Sequence, residues 1–235
     1  MSNIYKEIDN ALEKHDEKLP VVEIFYSIEG EGKRAGSPTV FIRFAGCNLR
    51  CKYCDTKYAF NLNSPEILWM DIDEIVSEVM KYKCKNVTIT GGEPLLYQVH
   101  MVRMIKFMTH LKPGIEVNIE TNGTIVPTYT LMHLENVFIT ADQKCPCSGY
   151  NEVVSYLSDL REQDVLKFVV ADEVDLAFVK KVLIEHQVKA QIFMHPVFGA
   201  DLQKLAEFVK EHEYLNIRLG VQLHKIIWNP DTRGV

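Results

Sequence analysis

A chain of 235 residues with 47% hydrophobic and 25% charged side chains is long enough to bury a large core without disulfide staples. Its formal net charge of −6 excludes the basic footprint of a nucleic-acid binder or of a protein drawn to an anionic membrane. Residues 1–18 are charged throughout, with no apolar run for a signal peptide or membrane span. The chain is therefore expected in a reducing cytoplasm, where its six cysteines are ligands or free thiols rather than disulfides.

Residues 3–15 predict a polar, weakly amphipathic helix, read as an N-terminal extension over 1–20 ahead of a single domain over 21–235. "VVEIFYSI" (21–28) and "TVFIRFAG" (39–46) are strands flanking the Gly-rich loop "EGEGKRAGSP", a pattern that pairs as a hairpin. Residues 47–65 read as loop. Asp71 and Glu74 give an Asp-x-x-Glu start for a helix over 72–83. A rhythm follows of strand 86–90, helix 95–111, strand 115–120, a short helix from Pro127, strand 136–140 and a long polar loop. Strand 164–170, a helix from the Asp172 cap to about 186, strand 190–194, helix 202–212 and strand 215–222 complete it. Short apolar strands alternating with amphipathic helices imply βαβ units and a parallel sheet. "GGEP", "ETNG", "DQK" and "HPVF" each follow a strand directly, so they are expected to meet on one rim at the carboxyl ends.

The sharpest chemical signal is "AGCNLRCKYCDT", which spaces Cys47, Cys51 and Cys54 as C-x-x-x-C-x-x-C in a loop after a strand. Three thiolates on short spacings suit a [4Fe–4S] cluster with one iron left open, or a zinc site with a distant fourth ligand. "TITGGEP" about 35 residues later favours the cluster. Cys145 and Cys147 lack evident partners and read as free thiols; Cys84 reads as structural.

Together these motifs resemble the radical S-adenosylmethionine superfamily. "SIEGEGKRAGSPTVFIRFAGCNLRCKYCDT", "TITGGEP", "IETNGT" and "VQLHK" narrow the resemblance to the 7-carboxy-7-deazaguanine synthase family from about residue 21 to the end. The resemblance implies an incomplete parallel β/α barrel and an enzyme of 7-deazapurine biosynthesis acting on a carboxylated tetrahydropterin. It implies a [4Fe–4S] cluster, S-adenosylmethionine and Mg²⁺, an electron donor such as flavodoxin or ferredoxin, and a homodimer. S-adenosylmethionine contacts are expected from Tyr53, Cys54, Asp55, Gly91, Gly92, Glu93, Asp142, Gln143, Lys144, His195, Pro196 and Val197. Substrate contacts are expected from Ile28, Glu29, Gly30, Glu31, Arg43, Thr90, Glu120, His224 and the C-terminal Val235. Thr56 matches the Mg²⁺ ligand.

Each residue also has a plain reading. Arg43 fits a strand-end surface arginine, Thr56 a loop residue, Glu120 a solvated acid and His195 a satisfied core histidine. Arg43 would otherwise grip the substrate carboxylate through two charge-assisted hydrogen bonds. The family's Gln-Gly-Glu-Gly is Glu29-Gly-Glu31-Gly here, its Ser-Pro-Lys is Asp142-Gln143-Lys144, and five residues follow Pro230, where the family's chain usually ends. A glycyl-radical-activating enzyme is an alternative with the same cysteine spacing, and a zinc-stabilised binding module an alternative without catalysis. Replacing Cys47, Cys51 or Cys54 with Ala is expected to abolish most iron binding, and replacing Cys145 or Cys147 is not. Iron per chain in anaerobically loaded protein checks this, and a Cys51→Ala variant that keeps its iron contradicts it.

Overall fold

The computed structural model describes residues 2–235. In chain order the elements are α1 (Ser2–Lys14), β1 (Leu19–Ile28), β2 (Pro38–Phe44), β3 (Leu68–Met70), α2 (Ile72–Met80), β4 (Asn86–Gly91), α3 (Gln98–Leu111) and β5 (Glu116–Thr121). Then come α4 (Tyr129–Met132), β6 (Val137–Gln143), β7 (Val165–Val170), α5 (Glu173–Glu185), β8 (Gln191–Pro196), α6 (Leu202–Glu211), β9 (Ile217–Leu219) and α7 (Leu223–Ile227). No helix among the described residues is long and apolar enough to cross a membrane.

The strands form one sheet in the order β3-β1-β2-β4-β5-β6-β7-β8-β9. β2 and β4 to β9 run parallel, and β1 pairs antiparallel with both β2 and β3. With β3 and β9 as edges the sheet does not close, which is the incomplete β/α barrel expected. The hairpin of the two first strands and the parallel βαβ order follow the sequence pattern. β3 adds an edge that the pattern did not reveal.

Alternation along each strand sets the layers. Val87 and Ile89, Val117 and Ile119 pack under α3 with Met101, Met104, Ile105 and Met108. Ile139 and Ala141, Leu166 and Phe168 pack under α5 with Leu176, Val179 and Val182. Each such side chain contributes about 1.5–3 kcal/mol when fully buried. The intervening positions are polar: Thr88 and Thr90, Asn118 and Glu120, Thr140 and Asp142, and Lys167. The helix-covered face thus holds the barrel together, and the opposite face supplies a polar interior. Ile8 and Leu12 of α1 are buried in the first core cluster, so the N-terminal helix packs onto the barrel.

The helix starts follow local chemistry. Asp71 and Glu74 make the reciprocal capping box of α2, and Asp172 accepts from Val174 N and Asp175 N at the start of α5. Three expectations need correction. The helix expected from residue 95 opens as a 3₁₀ turn, Pro94–Tyr97, before α3. β6 extends through Asp142 and Gln143 instead of ending at 140, because these residues pair in register with Lys167 and Phe168. The last strand stops at Leu219: Gly220 abuts the His195 ring, Leu223 N bonds Gly30 O at 3.0 Å, and the chain turns off the sheet into α7.

The amino-terminal ends of β6 and β7 are fixed by Asp164, which is fully buried. It accepts from Ile139 N at 2.9 Å, Arg161 N at 2.8 Å, and Arg161 Nε and Nη2 at 2.9 and 2.8 Å. Arg161 in turn donates to the carbonyls of Met132 and Val137. Removing the carboxylate leaves these donors without it, so Asp164→Ala is expected to cost about 3 kcal/mol. Urea denaturation checks this, and an unchanged midpoint contradicts it.

Candidate active site

The carboxyl ends of the strands surround a cavity of about 760 Å³. Of the residues singled out from sequence, Ile28, Glu29, Gly30, Glu31, Arg43, Cys47, Cys51, Tyr53, Cys54, Asp55 and Thr56 border it. So do Thr90, Gly91, Gly92, Glu120, Asp142, Lys144, Val197, His224 and Val235. Glu93, Gln143, His195 and Pro196 are not in its wall.

The cysteine loop is held by backbone contacts. Glu93 N donates to Gly46 O at 2.8 Å, Gly46 N to Ala59 O at 2.7 Å, and the Tyr97 hydroxyl to Ala45 O at 2.7 Å. The two glycines of "GGEP" serve this approach. Gly91 has φ +142°, and a Cβ on Gly92 would stand 2.0 Å from Gly46 O. Cys47 Sγ accepts from Leu49 N at 3.4 Å and from Asn122 Nδ2 at 3.8 Å. All six cysteines are free thiols. Burial pushes the Cys47 thiol up to about 11 and raises Cys51 and Cys54 as well. Iron binding would therefore have to displace protons. Three free thiols on one loop of one cavity wall are the donor set that a cluster held by three cysteines takes, and among the described residues they are not drawn together into a ready site.

Of the four residues outside the wall, Glu93 and Gln143 bond neighbouring loops, and both ring nitrogens of buried His195 lack a hydrogen-bond partner among the described residues. Glu93 is fully buried and accepts from Leu95 N at 2.9 Å, Thr121 Oγ1 at 2.8 Å and Asn122 N at 2.7 Å. It braces the turn after β4 to the turn after β5, and burial pushes it up to about 7. Gln143 clamps the following loop through Glu152 O and Val154 N, each at 2.9 Å. His195 is 1% exposed, and its ring lies where a Cβ on Gly220 would be, within 2.3 Å. Pro196 ends β8 opposite Val170.

A belt of alternating charge runs round the cavity. Lys144 Nζ lies 2.6 Å from Asp142, whose other oxygen is 3.1 Å from Lys167 Nζ. Lys167 reaches Glu31 at 2.6 Å, and Glu31 accepts from Gln222 Nε2 at 2.8 Å. Lys225 Nζ donates to Gln222 at 3.2 Å and pairs with Asp55 at 2.7 Å, which returns the belt to the cysteine loop. Burial would push Asp142 and Asp55 up, but Lys144 and Lys167 hold the first below its ordinary range, and Lys225 the second. Lys167, Gln222, Lys225 and Asn122 were not singled out from sequence. The signal for Lys167 was one lysine in the otherwise apolar strand "DVLKFVV", at an alternate position.

Glu29 and Glu120 anchor on hydroxyls two residues apart on β4. Thr88 Oγ1 donates to Glu29 at 2.5 Å and Thr90 Oγ1 to Glu120 at 3.1 Å. Burial, with the nearby Glu120 charge, pushes Glu29 up to about 7 in spite of Thr88 and Arg34; burial raises Glu120 too. Arg34 Nη2 also donates to Glu29 at 3.4 Å, a buried ion pair that holds the carboxylate in the wall. Arg43 gives Nε to Glu23 at 2.6 Å, and Tyr58 donates to the same oxygen at 3.0 Å. Its terminal nitrogens make no protein hydrogen bond among the described residues, so a carboxylate ligand can take them. Residues 230–235 border the cavity, fastened where Arg233 pairs with Glu66 at 3.0 Å and lies over the Tyr58 ring at 3.7 Å. Thr56 Oγ1 bonds Asp55 Oδ1 at 2.9 Å, and among the described residues no three His, Cys, Asp or Glu side chains form a ready site for a metal ion.

A family model described as the radical SAM superfamily matches residues 41–136. A 7-carboxy-7-deazaguanine synthase of Methanospirillum hungatei is 41% identical over 212 residues, covering 90% of this chain and 86% of that protein. A protein of the same name from Clostridium acetobutylicum is 40% identical over 220 residues, covering 92% and 98%. The crystal structure of QueE from Escherichia coli superposes with a TM-score of 0.68 at 23% identity, covering 91% of this chain and 98% of that one. That likeness supports the fold.

The close backbone packing at Gly92 yields a test. Gly92→Ala is expected to displace the cysteine loop, lowering stability by about 1–3 kcal/mol and reducing iron per chain. Iron analysis and thermal melting of the anaerobic protein check this; wild-type values for both contradict it.

Proposed function

The chain belongs to the 7-carboxy-7-deazaguanine synthase family of radical SAM enzymes, and on that premise we propose that it converts 6-carboxy-5,6,7,8-tetrahydropterin to 7-carboxy-7-deazaguanine with loss of ammonia. The observation that carries this reading is one cavity bordered both by the three free thiols of a strand-end loop and by Arg43, Glu29, Glu31 and Glu120. Family membership sets aside the glycyl-radical-activating and zinc-module alternatives.

Cys47, Cys51 and Cys54 would hold the cluster through their thiolates. A bound, reduced cluster would supply there the one-electron chemistry by which radical SAM enzymes use S-adenosylmethionine to activate a substrate C–H bond. The chain's own groups position and shield. The backbone at Gly91 and Gly92, with Tyr53, Asp142, Lys144 and Val197, forms the S-adenosylmethionine side of the cavity. Glu29, Glu31 and Glu120 accept from pterin N–H groups. Arg43, pinned by Glu23, takes the substrate carboxylate through its terminal nitrogens. Thr56 would offer Mg²⁺ a hard oxygen ligand beside the substrate side of the cavity. His224 and the tail ending at Val235 close the substrate side. The proposal extends to a flavodoxin- or ferredoxin-type electron donor and to a homodimer in the cytoplasm.

Anaerobic turnover of 6-carboxytetrahydropterin by reduced protein with S-adenosylmethionine and Mg²⁺ tests the proposal. Arg43→Lys keeps the charge and loses the two-point grip, so substrate affinity is expected to fall about tenfold or more, or 1.5–3 kcal/mol. Thr56→Val is expected to reduce the stimulation by Mg²⁺ and leave iron content unchanged. Wild-type turnover indifferent to Mg²⁺, with both variants binding substrate as the wild type does, contradicts the substrate assignment.

A further inference from the structure

Among the described residues, Lys167 alone joins carboxylates from two sides of the cavity. Its ammonium lies 2.6 Å from Glu31 on the loop after β1 and 3.1 Å from Asp142 on β6. Its side chain is 8% exposed, so water does little to solvate the charge. A buried ammonium persists when carboxylates surround it, and each such carboxylate is held in turn. Glu31 is the end of this arrangement that lies on the loop between β1 and β2. One oxygen takes Lys167 and the other takes Gln222 at 2.8 Å, and the carboxylate borders the cavity.

We propose that Lys167 is a positioning residue: it fixes the Glu31 carboxylate as the hydrogen-bond acceptor for an N–H-rich heterocyclic substrate and ties that acceptor to the Asp142–Lys144 pair. The inference rests on the reading that a pterin occupies the cavity. The other charges around Glu31 are mostly negative: Asp142 on β6, Glu120 on β5 and Asp55 on the cysteine loop, with Lys225 beyond Gln222. His195 on β8 and His224 on α7 are the nearby titratable imidazoles, and burial lowers both. Burial alone would push Glu31 up, but the Lys167 charge and hydrogen bond, with the Gln222 hydrogen bond, hold it well below the usual carboxylate range. With Lys167 present, Glu31 stays an anion and an acceptor through the neutral range. With Lys167 gone, burial and three neighbouring carboxylates raise Glu31, and it takes up a proton as pH falls. A protonated Glu31 loses an acceptor where the substrate presents donors.

The test is equilibrium binding of 6-carboxytetrahydropterin to anaerobic holoenzyme across the neutral pH range, for wild type and Lys167→Met. Titration of the substrate is common to both proteins and divides out of the ratio of their Kd values; Lys167 also bears on His195 and His224, so the same ratio taken in the Glu31→Gln background isolates Glu31. With Glu31 present the ratio is expected to rise as pH falls, towards a limiting slope of about tenfold per pH unit for one proton, and to shrink at high pH. A loss of equal size at every pH marks a merely structural role and overturns the inference, as does no loss. Should Lys167→Met fail to fold, Lys167→Met with Glu31→Gln restores the charge balance and is compared with Glu31→Gln alone. Affinities within about twofold of each other at every pH support action through Glu31, because the second change then finds nothing left to remove. A further tenfold loss in the double variant overturns it. Wild type that does not bind the pterin overturns the substrate reading and this inference with it; wild type that binds, with a flat ratio, overturns this inference alone.

Discussion

A buried lysine between two carboxylates constrains everything around it. Lys167 lies on β7, Asp142 on β6 and Glu31 on the loop after β1, so their contacts span the barrel interior from side to side. Leaving any of the three unpaired in a low-dielectric wall costs several kcal/mol, so the loop between β1 and β2 is drawn in over the strand ends. Gln222 and Lys225 extend the hold to the segment after β9, and Asp55 carries it to the cysteine loop. An open sheet gains, through charge, the enclosure that a closed barrel would gain from its strands.

A second set of contacts ties the cysteine loop to the same rim. Glu93 accepts from the turn after β5 while its backbone N–H holds Gly46, and Asn122 reaches Cys47 Sγ. The glycines before Glu93 let backbone meet backbone. The thiols, the strand-end glycines and the acidic wall are thus parts of one scaffold whose helix-covered face is ordinary apolar packing.

Much of this was legible from residue identity. Cysteine spacing, strand-end glycines and the apolar rhythm of strands and helices are local signals, and they placed the parallel βαβ sheet and the cysteine loop; the incomplete barrel and the residues expected in the cavity wall came from the family resemblance. What escaped depends on contacts distant in sequence. Lys167 and Glu31 are 136 residues apart, and neither is informative until the fold joins them. α7 forms because Leu223 N meets Gly30 O and the His195 ring bars the strand from continuing past Gly220. Glu93 and Gln143 carried motif letters that pointed to ligand contact, yet their side chains serve backbone groups of neighbouring loops. A motif marks where a chain is constrained without saying whether a ligand or the protein imposes the constraint.

The central claim is that the cysteine loop and the acidic wall make one site, with an iron left open for S-adenosylmethionine next to a pocket for the pterin. Low-temperature electron paramagnetic resonance of the reduced, anaerobically loaded protein, titrated with S-adenosylmethionine and then with 6-carboxytetrahydropterin, tests it most directly. The expected result is one [4Fe–4S] signal per chain that changes with S-adenosylmethionine and changes again with the pterin. A cluster signal indifferent to S-adenosylmethionine would contradict the claim.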